Sequence, residues 1–302
     1  MDQQLKNALI SLKGLSIGDA LGEQFFGNES LILPLIKKKE LPNAPWEYTD
    51  DTKMAISIVD TLINFGKINQ DYLINKFVES FENEPFRGYG PGAIRLLSNI
   101  RNEGDWRSVS KQAFNGEGSF GNGAAMRVAP LGAYFSGNTK RVIENAMLSA
   151  EVTHAHPEGI AGAIAVALAA SYSASLGDSK LVKKDFFEFI IDNMPACLTK
   201  SKIIKAEKIS FTLPTTEVVS KIGAGENVSA MDTVPYILWN VAKNIDNYEK
   251  AFWNTVSGLG DRDTTCAMVC GIVALSTKTP VPEEWIKNTE KLPEEFEVMK
   301  TQ

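Results

Sequence analysis

Two short segments each place paired carboxylates and hydroxyls at the start of a predicted helix. Residues 49–52 (TDDT) lead into the apolar pattern KMAISIVDTL, and residues 261–264 (DRDT) lead into TCAMVCGIVAL. Asp and Thr are favoured at helix N-termini, so helix capping accounts for one such residue in each segment. A second carboxylate so close is repelled unless a cation lies between the two. From spacing alone, metal binding and capping are about equally well supported.

If the two helix starts face each other, four carboxylates and at least two threonine hydroxyls converge. Such an all-oxygen site suits Mg²⁺, Mn²⁺ or Ca²⁺ and not Zn²⁺. That number of ligands fits two ions about 3.5 to 4 Å apart.

Two glycine-rich segments offer anion-binding chemistry. Residues 116–123 (GEGSFGNG) contain GxGxxG, but they do not follow a predicted strand or open a βαβ unit, so a dinucleotide-binding fold is not indicated. Exposed backbone N–H groups in such a loop can still bind a diphosphate. Residues 87–92 (RGYGPG) offer the same chemistry. For either segment alone, a tight turn is the simpler interpretation.

The two histidines, His154 and His156, form an HxH pair beside a predicted helix start. Zinc amidohydrolases use further histidines, and this sequence has none. Hydrogen bonding or stacking is therefore the favoured role for the pair. The sequence also lacks a GxSxG elbow, and no Ser/His/Asp or Cys/His spacing indicates a covalent nucleophile.

These groups must be positioned by helices, because apolar residues recur at helical spacing along most of the chain. Residues 157–175 (PEGIAGAIAVALAASYSAS) are rich in Ala and Gly and predict a central helix that its neighbours approach closely. No linker, low-complexity tract or repeat interrupts the pattern. The sequence therefore predicts a single all-α domain over residues 1–302.

Composition excludes several classes of protein. The 302 residues are 44% hydrophobic and 23% charged, which is ordinary for a globular protein. The net charge is −6 and Lys and Arg are scattered, so no nucleic-acid-binding surface is indicated. Polar residues break the N-terminal apolar runs, which predicts neither a secretory signal nor a membrane span. Three cysteines without a CxxC pair predict reduced thiols. We expect a cytoplasmic monomer.

Taken together, the motifs resemble those of the ADP-ribosylglycohydrolase family, and their order along the chain carries the resemblance. The matching segments span nearly the whole sequence: residues 18–22 (GDALG), 49–52 (TDDT), 87–90 (RGYG), 114–116 (FNG), 121–127 (GNGAAMR), 153–154 (TH) and 260–264 (GDRDT).

The resemblance implies an orthogonal bundle of helices with two ions, usually Mg²⁺ or Mn²⁺, at the base of an ADP-ribose cleft. The implied metal ligands are Thr49, Asp50, Asp51, Asp261, Asp263 and Thr264. The backbone of two loops is implied to hold the diphosphate, namely Gly88, Tyr89 and Gly90 in the first and Ser119, Phe120, Gly121, Asn122 and Gly123 in the second. Phe114 and His154 are implied to flank the adenine.

The sequence departs from the family pattern at two positions. Many members have a glutamate four residues after the last glycine of GDALG, and this chain has Phe26 there. Glu23 and Glu29 bracket that position, so either is a candidate replacement, and water activated by the metal ions alone is the third possibility. Arg262 occupies a slot in which the family usually has a small or neutral residue. Its cation could contact phosphate or substrate, or could neutralise Asp261 and Asp263.

The resulting hypothesis is metal-dependent hydrolysis at the anomeric carbon of the distal ribose, with Asp51, Asp263 or Glu23 assisting proton transfer. The substrate is ADP-ribose attached to an acceptor, which is open among protein serine, protein arginine, a small ester and a nucleic-acid end. One alternative is a degenerate module that binds ADP-ribose without cutting it. Another is a Mg²⁺-dependent nucleotide phosphohydrolase, which would release phosphate.

Overall fold

The computed structural model describes residues 2–177 and 182–297, and helices dominate this part of the chain. The helices are α1 (Gln3–Glu23), α2 (Glu29–Lys38), α3 (Asp50–Phe65), α4 (Gln70–Asn83), α5 (Pro91–Glu103), α6 (Trp106–Gln112), α7 (Gly123–Met126), α8 (Ala129–Tyr134), α9 (Thr139–Glu151), α10 (Pro157–Ser175), α11 (Lys183–Asn193), α12 (Leu198–Glu207), α13 (Thr215–Ile222), α14 (Ala230–Asn244), α15 (Tyr248–Val256), α16 (Arg262–Val273) and α17 (Glu283–Asn288). Within the described residues, β pairing is limited to two isolated bridges, Trp46 with Thr289 and Gly121 with Ser229. The prediction of an all-α fold is confirmed.

Helix α10 is the apolar centre of the bundle and packs against α7, α8, α9 and α14. Small residues allow this close packing: a Cβ added to Gly132 of α8 would lie 2.1 Å from the carbonyl oxygen of Ala167. By length and composition α10 could cross a membrane, yet 78% of its most apolar window is buried inside the protein. That burial is typical of a core helix.

Helices α1 and α16 pack almost backbone to backbone along a row of glycines. A Cβ on Gly18 would lie 2.5 Å from the carbonyl oxygen of Cys266, and one on Gly22 would lie 2.7 Å from that of Arg262. Real Cβ atoms do not approach backbone so closely. Because the helices touch here, Asp19 of α1 comes to lie beside Asp263 at the start of α16.

Gly18→Ala should therefore destabilise the protein, since the added methyl group must push α1 away from α16. We expect a loss of about 1–3 kcal/mol in the free energy of unfolding, as for other overpacked sites. Urea denaturation measures the loss. Gly92→Ala is the control, because its Cβ would lie in α5 at an ordinary 3.8 Å from Phe114. Equal stability of the two variants would contradict the close packing.

Candidate metal centre

Three carboxylates meet where α1, α3 and α16 come together. Oxygens of Asp19, Asp51 and Asp263 all lie within 4.8 Å of one another. The Thr264 hydroxyl donates to Oδ2 of Asp51 at 3.2 Å. The Thr49 hydroxyl lies 2.8 Å from Oδ1 of Asp19 and 3.3 Å from the same Asp51 oxygen. The starts of α3 and α16 thus face each other, and we call Asp19, Asp51 and Asp263 the acid cluster.

Asp50 and Asp261 flank the acid cluster. Both carboxylates are close enough to raise the pKa of Asp51 by their charge. Asp261 is the N-cap residue of α16, and Asp50 is the first residue of α3. Of the six implied metal ligands, the structure therefore places Asp51 and Asp263 in the cluster and the other four directly around it.

Asp19 belongs to the cluster although the sequence analysis assigned it no role. Its carboxylate is fully buried and accepts hydrogen bonds from the backbone N–H of Thr49 at 3.0 Å and of Thr52 at 3.1 Å. The Thr52 hydroxyl also donates to it. Asp19 thereby caps α3 from a different helix. The available signal was a carboxylate within a predicted apolar helix, since a buried charge needs partners.

Burial raises the pKa of every carboxylate at this centre. The pKa of Asp19 rises to about 6 through burial, although four hydrogen bonds oppose the shift. The pKa of Asp50 rises to about 7 through burial and the charge of Asp19. For Asp51 and Asp263, burial and neighbouring carboxylates raise the pKa well above the usual value. Buried carboxylates this close together must either be protonated or have their charge balanced by a bound cation.

A divalent cation fits this donor set. Oδ1 of Asp51 is buried and has no hydrogen-bond partner among the described residues. Such an orphaned oxygen, within a convergent set of carboxylates and threonine hydroxyls, is a suitable ligand for Mg²⁺ or Mn²⁺. The donor chemistry therefore agrees with a metal centre.

The first glycine loop is attached to the start of α3. The backbone N–H of Asp50 donates to the carbonyl oxygen of Arg87 at 2.6 Å. Gly88 has φ = 88°, and a Cβ there would lie 3.3 Å from that of Thr49. Tyr89 is buried, and Gly90 is the N-cap of α5. This loop therefore borders the metal centre.

The second glycine loop is attached to the start of α16 through Asn122. Nδ2 of Asn122 donates to Oδ2 of Asp261 at 2.7 Å and to the hydroxyl of Thr233 at 3.1 Å. Its backbone N–H donates to the carbonyl oxygen of Val228 at 3.1 Å. The Ser119 hydroxyl accepts from the backbone N–H of Gly121 at 3.2 Å. Both predicted diphosphate loops thus lie against predicted metal ligands.

An aromatic row extends from the second glycine loop. Phe114 is 52% exposed, and its ring centroid lies 5.8 Å from that of Phe120. Phe120 in turn lies 5.5 Å from His156. Phe114 therefore has exposed ring surface that is available for stacking. Within the row, Phe120 lies between Phe114 and His156.

His154 lies directly against the backbone of the second glycine loop. A Cβ on Gly123 would be 3.0 Å from Cε1 of His154, and one on Gly121 would be 3.3 Å from Nε2. Burial lowers its pKa to about 3, so the ring is neutral. Arg127 donates to the Thr153 hydroxyl, which lies 2.8 Å from Nδ1. The Thr153 hydroxyl thereby connects Arg127 to the His154 ring. The role of His154 beside an adenine stays a prediction.

The two departures from the family pattern contact each other. The guanidinium of Arg262 lies 5.1 Å above the ring of Phe26, and Nη2 lies 3.8 Å from Oε1 of Glu29. Arg262 is buried and Glu29 is exposed. The cation therefore points toward the segment between α1 and α2. A contact between Arg262 and substrate stays a prediction.

Glu23 and Glu29 have different surroundings. Glu23 ends α1 and is half-buried; burial and the charges of Asp19 and Asp261 raise its pKa. Glu29 is exposed and pairs with Arg262. Glu23 is therefore the carboxylate that faces the acid cluster.

An ion pair that the sequence analysis did not identify stabilises the first glycine loop through Arg87, the residue at its start. Arg87 donates to both carboxylate oxygens of Glu290, at 2.6 and 2.8 Å, and to the carbonyl oxygen of Tyr48 at 3.1 Å. The backbone N–H of Tyr48 donates to Glu290 at 3.3 Å. The C-terminal segment thereby holds the residues that precede α3.

Comparison with known proteins finds similar proteins over nearly the whole chain. The family model described as ADP-ribosylglycohydrolase matches residues 1–301. ADP-ribosylhydrolase ARH3 of Xenopus tropicalis is 27% identical, with 91% of this chain and 88% of the relative covered. Human ARH3 is 26% identical, with 92% and 88% covered. A solved structure called ADP-ribosylglycohydrolase-related protein complex has a TM-score of 0.69 at 22% identity, covering 98% of this chain and 96% of that one.

Proposed function

Since the chain belongs to the ADP-ribosylglycohydrolase family and is a glycohydrolase, we propose that it releases ADP-ribose from a modified acceptor by metal-dependent hydrolysis. The observation that carries this proposal is the acid cluster between two glycine loops. In the reaction, water oxygen bonds to the anomeric carbon, the bond to the acceptor breaks, and the acceptor leaves with a proton.

Two divalent cations, Mg²⁺ or Mn²⁺, would be held by seven side chains. These are the six implied by the family resemblance together with one from α1: Thr49, Asp50, Asp51, Asp261, Asp263, Thr264 and Asp19. When bound, such ions orient the distal ribose and lower the pKa of water.

The protein's own groups would bind and orient the rest of the substrate. Backbone N–H groups of the two glycine loops hold the diphosphate, and Phe114 stacks on the adenine with its exposed face. Burial and the charges of Asp19 and Asp261 raise the pKa of Glu23, and we assign this carboxyl group to proton transfer to the leaving acceptor.

Product identification tests this function against its alternatives. The purified protein with Mg²⁺ is incubated separately with peptides modified on serine and on arginine, and free ADP-ribose is detected by mass spectrometry. Release of ADP-ribose supports the proposal. Tight ADP-ribose binding without release would favour the binding module, and released phosphate would favour the phosphohydrolase.

Mg²⁺ should raise the melting temperature of the chelator-treated protein, and by more near pH 8 than near pH 5. The pKa values of Asp19 and Asp50 in the fold, about 6 and about 7, exceed the roughly 3.9 of an unfolded aspartate. Without cations, their ionisation therefore costs stability as pH rises through this interval, and the cost is complete above it. Cations bind the ionised form and offset the cost. Scanning calorimetry at both pH values checks this.

Asp263→Asn should lose most of the Mg²⁺-dependent shift. Asp185→Asn, at an exposed position in α11, should keep it. If Mg²⁺ does not raise the melting temperature of the wild type, or raises that of both variants equally, the metal centre is removed from the proposal.

A further inference from the structure

Arg127 is a buried cation that the proposed reaction does not use. It is the C-cap residue of α7, close behind the second glycine loop, and only 1% of its surface is exposed. Its guanidinium lies 4.4 Å from the ring centroid of Phe77, and its Nε has no hydrogen-bond partner among the described residues. A buried charge with an unsatisfied donor is costly, so packing alone does not explain this arginine.

The guanidinium donates to neutral groups at the end of α9. Its Nη2 bonds the carbonyl oxygen of Ser149 at 3.0 Å and the hydroxyl of Thr153 at 2.8 Å. Burial lowers the pKa of Arg127 to about 9, and the charge of Asp50 opposes the shift, so the group is a cation near neutral pH. Hydrogen bonds from a charged donor are stronger than those between neutral groups. Arg127 therefore holds the Thr153 hydroxyl in one place.

The Thr153 hydroxyl in turn holds the ring of His154. It lies 2.8 Å from Nδ1 on one edge of the ring. On the other edge, Cε1 and Nε2 face the second glycine loop, where a Cβ on Gly123 would lie 3.0 Å from Cε1 and one on Gly121 would lie 3.3 Å from Nε2. The ring is thus fixed between a hydroxyl and the loop backbone. We call Arg127, Thr153 and His154 the arginine relay.

We propose that Arg127 is a positioning residue for nucleotide binding, which acts through Thr153 to fix the ring of His154 and, with it, the second glycine loop. This inference rests on the proposed function, which assigns the diphosphate of ADP-ribose to that loop. Backbone N–H groups and a ring bind a ligand more tightly when they are held in place before it arrives. Asn122 of the same loop bonds Asp261, so the relay also reaches the metal centre.

The arginine relay can be cut at either of its first two residues. Thr153→Val removes the hydroxyl and keeps the branched shape, whereas Thr153→Ser keeps the hydroxyl. Arg127→Met removes the donor and keeps an apolar side chain against Phe77. Thr255→Val is the matched control, because Thr255 is a buried threonine in α15 whose hydroxyl donates to the carbonyl oxygen of Ala251.

Two measurements are made on each variant. Calorimetry with Mg²⁺ present gives the affinity for ADP-ribose. Heteronuclear NMR of the imidazole nitrogens reports the hydrogen bonding and tautomer of His154 without any ligand. The other of the two histidines, His156, is an internal reference, because its Nδ1 accepts from the backbone N–H of Glu158.

We expect Thr153→Val and Arg127→Met each to weaken ADP-ribose binding at least about tenfold, the lower end for residues that orient the ligands of a site. The double variant should be little weaker than either one, because both changes cut the same relay. The ring signals of His154 should change in both variants while those of His156 stay. Thr153→Ser and Thr255→Val should bind within about twofold of the wild type.

A purely structural role for Arg127 would instead lower the free energy of unfolding and leave binding as it is. The inference is overturned if either Thr153→Val or Arg127→Met keeps its affinity or its His154 signals. It is also overturned if the two losses add in the double variant, or if Thr153→Ser or the control binds as weakly as Thr153→Val. A wild type that does not bind ADP-ribose overturns the proposed function as well, which separates the two failures.

Discussion

Asp51→Asn should lower kcat for hydrolysis of an ADP-ribosylated peptide by at least about 100-fold, the lower end of what a positioned acid or base contributes. Asp51 lies at the centre of the acid cluster, with one oxygen bonded to Thr264 and the other buried without a partner. Asparagine keeps the shape of the side chain but removes the charge that would bind a cation. Steady-state release of ADP-ribose with Mg²⁺ present measures the effect.

The same substitution separates metal binding from helix capping. Asparagine is about as good an N-cap as aspartate, so a capping role would leave activity and stability nearly unchanged. Thr49, moreover, already caps α3 by accepting from the backbone N–H of Asp51. Asp60→Asn is the control on the same helix, where the carboxylate bonds the Tyr72 hydroxyl away from the cluster. Full activity in Asp51→Asn would contradict the proposed metal centre.

Motifs confined to a few consecutive residues could be located from the sequence. Carboxylates at a predicted helix start indicate where those charges lie on their helix, and glycine runs indicate loops that expose backbone N–H groups. Helical spacing also gave the fold class, because each amphipathic segment needs a helical partner. The structure adds that the two acidic helix starts face each other across the Asp51–Thr264 hydrogen bond.

Roles that depend on distant contacts could not be predicted. Asp19 caps a helix that begins about 30 residues later, and Arg87 binds a carboxylate 203 residues away. A carboxylate within an apolar helix indicates that Asp19 needs a partner, but no local pattern identifies the partner of either residue. Phe26 and Arg262 each looked like an isolated departure, yet they pack on each other from opposite ends of the chain. The contact between Arg262 and Phe26 gives a physical reason why this chain has both departures from the family pattern.

Glu23→Gln should lower kcat on serine- or arginine-linked peptides by about 100-fold, whereas Glu29→Gln should change it by no more than a few-fold. Glu23 is half-buried, and burial and the charges of Asp19 and Asp261 raise its pKa, which favours proton transfer to the departing acceptor. Glu29 is exposed, and its charge is directed toward Arg262. Single-turnover measurements with saturating protein isolate the chemical step.

The choice of leaving group then identifies what Glu23 does. A serine hydroxyl or an arginine guanidine needs a proton as it leaves, but acetate leaves as a stable anion. If Glu23 donates that proton, Glu23→Gln should retain far more activity on ADP-ribose esterified with acetate at its anomeric hydroxyl than on the peptides. Equal losses on both substrates would instead assign Glu23 to positioning the start of the α1–α2 segment. No loss on either would mean that this chain needs no carboxylate in place of the glutamate that Phe26 has replaced, and that the metal centre alone is sufficient for hydrolysis.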